Sequence, residues 1–208
     1  MPSRPKKAAQ ITREKVLALA AAEWARTGPG GDLPGHFILA VRPYWSLTIG
    51  KPGNDLNAWD DLFAFVTPSR MHLQPGNTDP TRYGWNAGAG KPMASLNFGC
   101  WPFRRGPHKG KTPALRQMTS LEARDLGCPT DGRFEVTRTY ATGDPRNYVE
   151  RGYYAINQHP GGWNTTSSEA CLTTPPDVAG EFLGDIWDTT LAAKVRVIWT
   201  ILIPGPVS

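Results

Sequence analysis

Short apolar runs, most of strand length, dominate the chain, and helical periodicity is confined to its beginning and to one stretch near its end. In residues 11–26, Val16, Leu17, Ala20 and Trp24 recur at helical spacing. Thr12 is placed to cap that helix and Gly28-Pro29-Gly30-Gly31 to stop it. The pattern predicts a helix that packs an apolar stripe on the main domain. Residues 134–140 alternate with period two, which predicts a strand with one buried face. Shorter strands are expected at residues 36–41, 47–49 and 62–66, with a turn at residues 51–55. The acidic pair Asp60-Asp61 reads as a polar turn before the third of these. Residues 68–95 read as loop-rich, with the clearest turn at residues 74–80, and the apolar residues 93–98 follow. A polar turn over residues 143–151 leads to a strand-like run with Tyr153, Tyr154 and Ile156 that carries His159. The step Thr174-Pro175-Pro176-Asp177 starts a short helix with Val178, Phe182 and Ile186 on one face. Residues 194–203 form a last strand, stopped by Pro204-Gly205-Pro206.

Many strands and few helices make the expected fold mostly β, or α+β with a small helical share. Residues 1–30 are assigned to a basic lead and an N-terminal helix, and residues 31–208 to a single domain. The length of 208 residues and a hydrophobic fraction of 39% suit one core of that kind. The 22 glycines and 20 prolines agree with many turns, and the eight tryptophans with large buried aromatics or an aromatic-walled cleft.

Charge narrows the partners only in part. The formal charge of +5 favours anionic ones, cell-wall polymer among them. Arg104-Arg105-Gly106-Pro107-His108-Lys109-Gly110-Lys111 concentrates cations in one segment. It reads as a solvated loop or as a holder for an anionic group, because arginine offers carboxylates a planar fork. No aromatics interleave it, so nucleic acid is not an expected partner. No run approaches the roughly 18 apolar residues of a membrane span, so no stable membrane insertion is expected. The N-terminal residues do not read as a signal peptide, which implies synthesis in the cytoplasm.

The chemistry concentrates in residues 153–173. Three cysteines, an odd number with no Cys-x-x-Cys pair, point away from a disulfide framework and a cysteine-rich zinc site. Cys171 differs from Cys100 and Cys128 in lying at the end of a hydroxyl-rich loop, twelve residues after His159. A thiol attacks as the thiolate, and a nearby imidazole can take its proton. Asn157 and His159, two apart on a strand, should share a face, with the amide orienting the ring or binding substrate. Backbone N–H groups near Ala170 and Cys171 can receive an oxyanion, while Ser167 and Ser168 brace the loop or contact substrate. A zinc hydrolase using His159 with His108, His72 or His36 is the weaker reading, since no H-E-x-x-H spacing is present. Neither a metal nor another cofactor is expected.

These residues also resemble a family. His159-Pro160-Gly161 followed by Ser168-Glu169-Ala170-Cys171-Leu172-Thr173 is similar to the catalytic motif of L,D-transpeptidases, a histidine-glycine step and then Ser-His-Gly-Cys-x-Arg. More closely, residues 156–159 and 164–173 resemble phage and prophage proteins that read Asn-x-His and then Thr-Ser-Ser-x-Gly-Cys-Gln-Thr. Gly106-Pro107-His108-Lys109 and Ala114-Leu115-Arg116-Gln117 also have counterparts there, so the resemblance spans residues 46–187. It implies an L,D-transpeptidase-like β-sandwich or barrel and a cysteine enzyme acting on the peptide stems of peptidoglycan, with a phage endolysin role. Cys171 would be the nucleophile, His159 the base and Ser168 the loop residue. Glu169, Ala170 and Thr173 depart from the motif's histidine, glycine and arginine. Arg104, Arg105 and Arg116 are the candidates to replace that arginine. The competing expectation is a non-catalytic wall-binding or virion-associated module on the same fold.

Overall fold

The structure, a computed structural model, describes residues 1–46 and 54–205. The strand expected at residues 47–49 and most of the turn after it lie outside the described residues. Helix α1 (Arg13–Thr27) is followed by strands β1 (Phe37–Arg42), β2 (Asp61–Val66), β3 (Met71–Gly76), β4 (Trp85–Asn86), β5 (Lys91–Leu96), β6 (Gly99–His108) and β7 (Thr112–Gln117). Helix α2 (Ser120–Asp125) precedes β8 (Phe134–Thr139), β9 (Tyr148–Gly152), β10 (Asn157–Pro160) and β11 (Leu172–Thr174). Helix α3 (Pro176–Ala192) and β12 (Ile198–Pro204) complete the order. The fold is mostly β, with three helices among the described residues.

Eight strands form one mixed sheet in the order β11-β10-β7-β6-β12-β1-β2-β3. Its two ends nearly meet, because Asn77 and Thr173 exchange backbone hydrogen bonds of 2.8 Å each way just past β3 and within β11. The remaining strands make a small antiparallel sheet, β4-β5-β8-β9.

Period two decides what each face of the large sheet covers. Ile38, Ala40, Phe63, Phe65, Leu115 and Leu172 pack with Phe182 and Ile186 of α3 and with Phe134 and Val136 of the small sheet. The alternate residues Phe37, Leu39, Val41, Leu62 and Ile201 pack on Val16, Ala20 and Trp24 of α1. The Trp24 and Trp199 rings meet edge to face there, 5.0 Å between centroids. Strands β1 and β2, buried along their whole length, are apolar on both faces for this reason. The Thr12 side chain caps α1 by accepting from the Lys15 N–H, as its position before the helix implied. No helix among the described residues is long and apolar enough to cross a membrane.

Several local expectations are corrected. Residues 68–95 hold β3, β4 and the start of β5; β3 is polar and carries Pro75, yet it pairs with β2 over six residues as a boundary strand of the large sheet. Residues 104–108 are not loop but the end of β6, and the turn to β7 lies at Lys109-Gly110, both at positive φ. Residues 148–152 form the edge strand β9 rather than a turn, with Tyr148, Val149 and Arg151 exposed. The run at Tyr153, Tyr154 and Ile156 is irregular, broken by Ala155 at φ 53°, so the strand begins only at Asn157. The helix after Cys171 is not short but spans 17 residues. The last strand starts at Ile198, because α3 and a Lys194 at φ 57° occupy the residues before it.

Candidate functional site

Pairing of β10 with β11 assembles the candidate site. The two strands run parallel, with Gln158 opposite Leu172 and His159 opposite Thr173, so Cys171 falls opposite Asn157. Gln158 and Leu172 share a face with Leu115 of β7, toward α3. Asn157, His159 and Cys171 therefore lie on the other face. The antiparallel register adds Arg116, opposite Asn157, and Arg104, opposite Arg116; His108 follows on β6 with the same parity. Residues far apart in sequence thus meet on one surface because they share a strand phase.

Cys171 sits just before β11, and its sulfur accepts the Asn157 backbone N–H at 3.4 Å. Burial pushes its thiol pKa up and the Glu169 carboxylate adds to this, while the Asn157 N–H and the Lys109 ammonium pull it down. The His159 ring is buried, and its Nδ1 lies 2.7 Å from the Pro160 carbonyl oxygen, to which it donates. A proton held at Nδ1 leaves Nε2 as the bare nitrogen. Burial first, then His108 and Lys109, press the His159 pKa down to about 4, so the ring is neutral at pH 7. His108 stacks on it with centroids 4.0 Å apart and planes 13° from parallel. No hydrogen bond joins Cys171 to either ring among the described residues.

The surrounding loop is braced. The Ser168 hydroxyl donates to the Cys171 carbonyl at 2.7 Å, and Thr81 exchanges hydrogen bonds with Ser168 from the neighbouring loop. Among the described residues, the N–H groups of Ala170 and Cys171 donate to no partner outside the sheet ladders. Gly161 donates to the Thr174 carbonyl at 2.8 Å, and a Cβ there would strike the Trp59 ring and lie 2.9 Å from the Thr166 carbonyl. Ser167 is exposed at φ 56° and shares a contact with Thr165 rather than with Cys171.

Cys171, His108, Asn157, Ala170 and Arg116 open together onto a cleft of about 460 Å³. The Asn157 side-chain amide donates to the Ala155 carbonyl at 2.8 Å and lies 3.2 Å from His108 Nδ1. His159 does not line this cleft; it stands behind His108. Arg104 is held by Glu122 and by the Arg105 carbonyl. Arg105 points to the opposite face, where Thr190 Oγ1 and the Val195 carbonyl accept from it at 2.7 Å each. Of the three arginines expected near the site, only Arg116 reaches the cleft.

Tyr154, Ala155 and Glu169 also line this cleft, and the sequence reading did not single them out as site residues. Glu169 carries a sequence signal, standing where the motif has a histidine, whereas the backbone break at Ala155 shows only in the fold. His72 and His36 take no part; His72 Nδ1 instead lies 2.9 Å from an Asp185 carboxylate oxygen. Among the described residues, no group of three or more His, Cys, Asp or Glu side chains is arranged to hold a metal ion.

A second buried polar group lies around Arg42. Its guanidinium donates to the Leu96 carbonyl at 2.9 Å and to Thr78 Oγ1 at 2.6 Å, with Asp79 Oδ1 at 3.4 Å. Asp61 accepts from the Thr78 N–H and hydroxyl, both at 2.6 Å. Asp60 accepts from the Asp55 N–H at 2.8 Å. Asp60 and Asp61 are thus not a polar turn but fully buried groups, with Asp61 opening β2. Burial drives both carboxyls upward, Asp60 to about 7.

Comparison with protein-family models, with curated proteins and with solved structures returned no match for this chain.

Proposed function

We propose that the chain is a cysteine-dependent hydrolase or transpeptidase acting on peptidoglycan stem peptides, with an L,D-transpeptidase-like domain. The observation that carries this reading is the shared face of β10 and β11. There the Cys171 thiol meets the Asn157 N–H, and a neutral His159 two residues along has its Nδ1 proton fixed on Pro160. A thiol on the same strand face as an imidazole that a third group orients is the layout from which an activated nucleophile is assembled when substrate draws the two together. The family resemblance of residues 156–173 supplies the substrate class, and the cationic residues Arg116 and Lys109 at the cleft suit an anionic polymer.

The chemistry follows from these positions. The Cys171 sulfur attacks a stem-peptide carbonyl carbon as its proton passes to Nε2 of His159. The Ala170 and Cys171 N–H groups stabilise the oxyanion. Collapse breaks the C–N bond, the leaving amine takes the proton from His159, and a thioester remains on Cys171. Water then gives hydrolysis, and an acceptor amine gives transpeptidation. Because burial raises the thiol, proton transfer accompanies attack instead of preceding it. The biological setting we favour is wall lysis by a phage enzyme made in the host cytoplasm.

The rival reading, a wall-binding module without chemistry, draws on that same raised thiol and on the absence of a direct Cys171–His159 hydrogen bond. Purified sacculi incubated with wild type and with Cys171→Ala separate the two. Release of new peptide termini by wild type alone supports the enzyme. Equal release by both, or binding without release by either, contradicts it.

A further inference from the structure

The loop that leads to Cys171 is gripped by a short segment far from it in sequence. Between β1 and β2, Asn57 Oδ1 accepts the Thr166 backbone N–H at 2.8 Å. Two residues on, the buried Trp59 ring fills the space over Gly161, where a Cβ would come within 2.2 Å of it. Gly161 and Thr166 are the two ends of one turn, and they adjoin, since that same Cβ would lie 2.9 Å from the Thr166 carbonyl. Asn57 and Trp59 therefore hold the neck of the site loop from both sides.

The backbone sets Asn57 for this contact. It stands at φ 57°, a left-handed conformation that asparagine adopts more readily than most side chains. Its segment is also fixed from outside. Ser3 bridges Ala58 in parallel, and the Ser3 carbonyl accepts the Trp59 N–H at 2.8 Å. Arg4 then forks onto Asp177, in the first turn of α3, with two bonds of 2.7 Å.

From Thr166 a run of hydrogen bonds continues to the thiol's own residue. Thr166 Oγ1 meets Thr81 Oγ1 at 3.1 Å, and Thr81 exchanges bonds of 2.8 and 3.0 Å with the Ser168 backbone. Ser168 Oγ in turn donates to the Cys171 carbonyl at 2.7 Å. Thr166 is fully buried, so its N–H has no water to turn to if the Asn57 acceptor is removed. The loop has to shift to satisfy it.

We propose that Asn57 is a positioning residue for the reaction at Cys171: its bond to Thr166 sets the loop that aims the Ala170 and Cys171 N–H groups at the oxyanion. This rests on the reading of Cys171 as a nucleophile. Asn57 does not line the cleft at Cys171, so its removal acts on turnover and not on substrate binding.

The test pairs two variants with two readouts. Asn57→Gly keeps the left-handed backbone and deletes the acceptor, whereas Asn57→Asp keeps both. With a synthetic stem peptide, Asn57→Gly should lower kcat roughly tenfold and leave KM within about twofold, and Asn57→Asp should restore most of kcat. Amide hydrogen exchange at residues 166–171 should quicken about tenfold in Asn57→Gly, hold the wild-type rate in Asn57→Asp, and stay unchanged in α1 and β1 for both. Wild-type exchange or unchanged kcat in Asn57→Gly, a KM rise at constant kcat, or a loss that Asn57→Asp does not restore would each overturn the proposal. Exchange is read without turnover. A wild type that releases no peptide, while Asn57→Gly shows the loosened loop, would defeat the catalytic reading and with it the role of the brace, though the brace itself would stand.

Discussion

Two buried polar regions of the chain share materials and differ in how they are closed. Around Arg42, the guanidinium, the Thr78-anchored carboxyl of Asp61 and the Leu96 carbonyl are tied together inside the fold, with one oxygen each of Asp60 and Asp61 left without a partner among the described residues. Around Cys171, the thiol, the outer imidazole of His108 and the Arg116 guanidinium face an open cleft, with the His159 ring stacked behind His108. The contrast teaches that burial and shifted protonation alone do not mark a site. Closed hydrogen bonding mainly holds strands together, whereas open, oriented groups are free to act on another molecule.

Breaking that comparison at its strongest point means removing the oriented base. His159→Gln should lower peptide release by roughly a thousandfold, with thermal unfolding little changed, as measured by sacculus digestion alongside a melting scan. The closed region should behave in the opposite way. Arg42→Met leaves Asp61 and Asp79 facing each other without their cation and should cost about 3–5 kcal/mol in a urea titration. Activity per folded molecule should survive it. Gly161→Ala tests whether the site loop is as tightly set as it looks: the added methyl meets Trp59 and the Thr166 carbonyl. A loss of roughly 1–3 kcal/mol is expected, together with reduced activity, because the same turn holds the end of β10.

The smallest effect is a pH dependence. Asp60 has a folded pKa of about 7 against 3.8 ordinarily, so between those values the folded state binds more protons than the unfolded. Its contribution to stability is present below pH 4 and is lost as pH rises through 7. Asp60→Asn can still accept the Asp55 N–H and removes that loss, so the stability gap between variant and wild type should widen toward neutral pH by roughly 1–3 kcal/mol. A gap independent of pH would show that Asp60 stays ionised in the fold.

Much of the site was legible because it depends on local phase. The positions of Asn157 and His159 two apart, and of Cys171 at a loop end, carry over directly into one face of β10 and β11. What was hidden depended on pairing between distant segments. Nothing in the β6 run distinguishes Arg104 and Arg105 from each other, yet parity sends one to Glu122 and the other to α3. The boundary strands β3 and β9 read as loops because they mix polar and apolar side chains, few of them fully buried, without a clean alternation. The acidic pair looked like a turn because charged residues are ordinarily exposed; only the folded neighbours Thr78 and Asp55 account for two buried carboxyls. Periodicity sufficed for α1, and β8 emerged where alternation placed it.

The central claim is that Cys171 forms a thioester with a stem peptide. Intact-protein mass spectrometry after acid quench of the protein with a synthetic stem peptide tests it most directly. The account predicts a hydroxylamine-labile mass gain equal to the acyl fragment, mapped to Cys171, retained in Cys100→Ser and absent from Cys171→Ala. Peptide release with no such adduct, or an adduct that persists in Cys171→Ala, would contradict it.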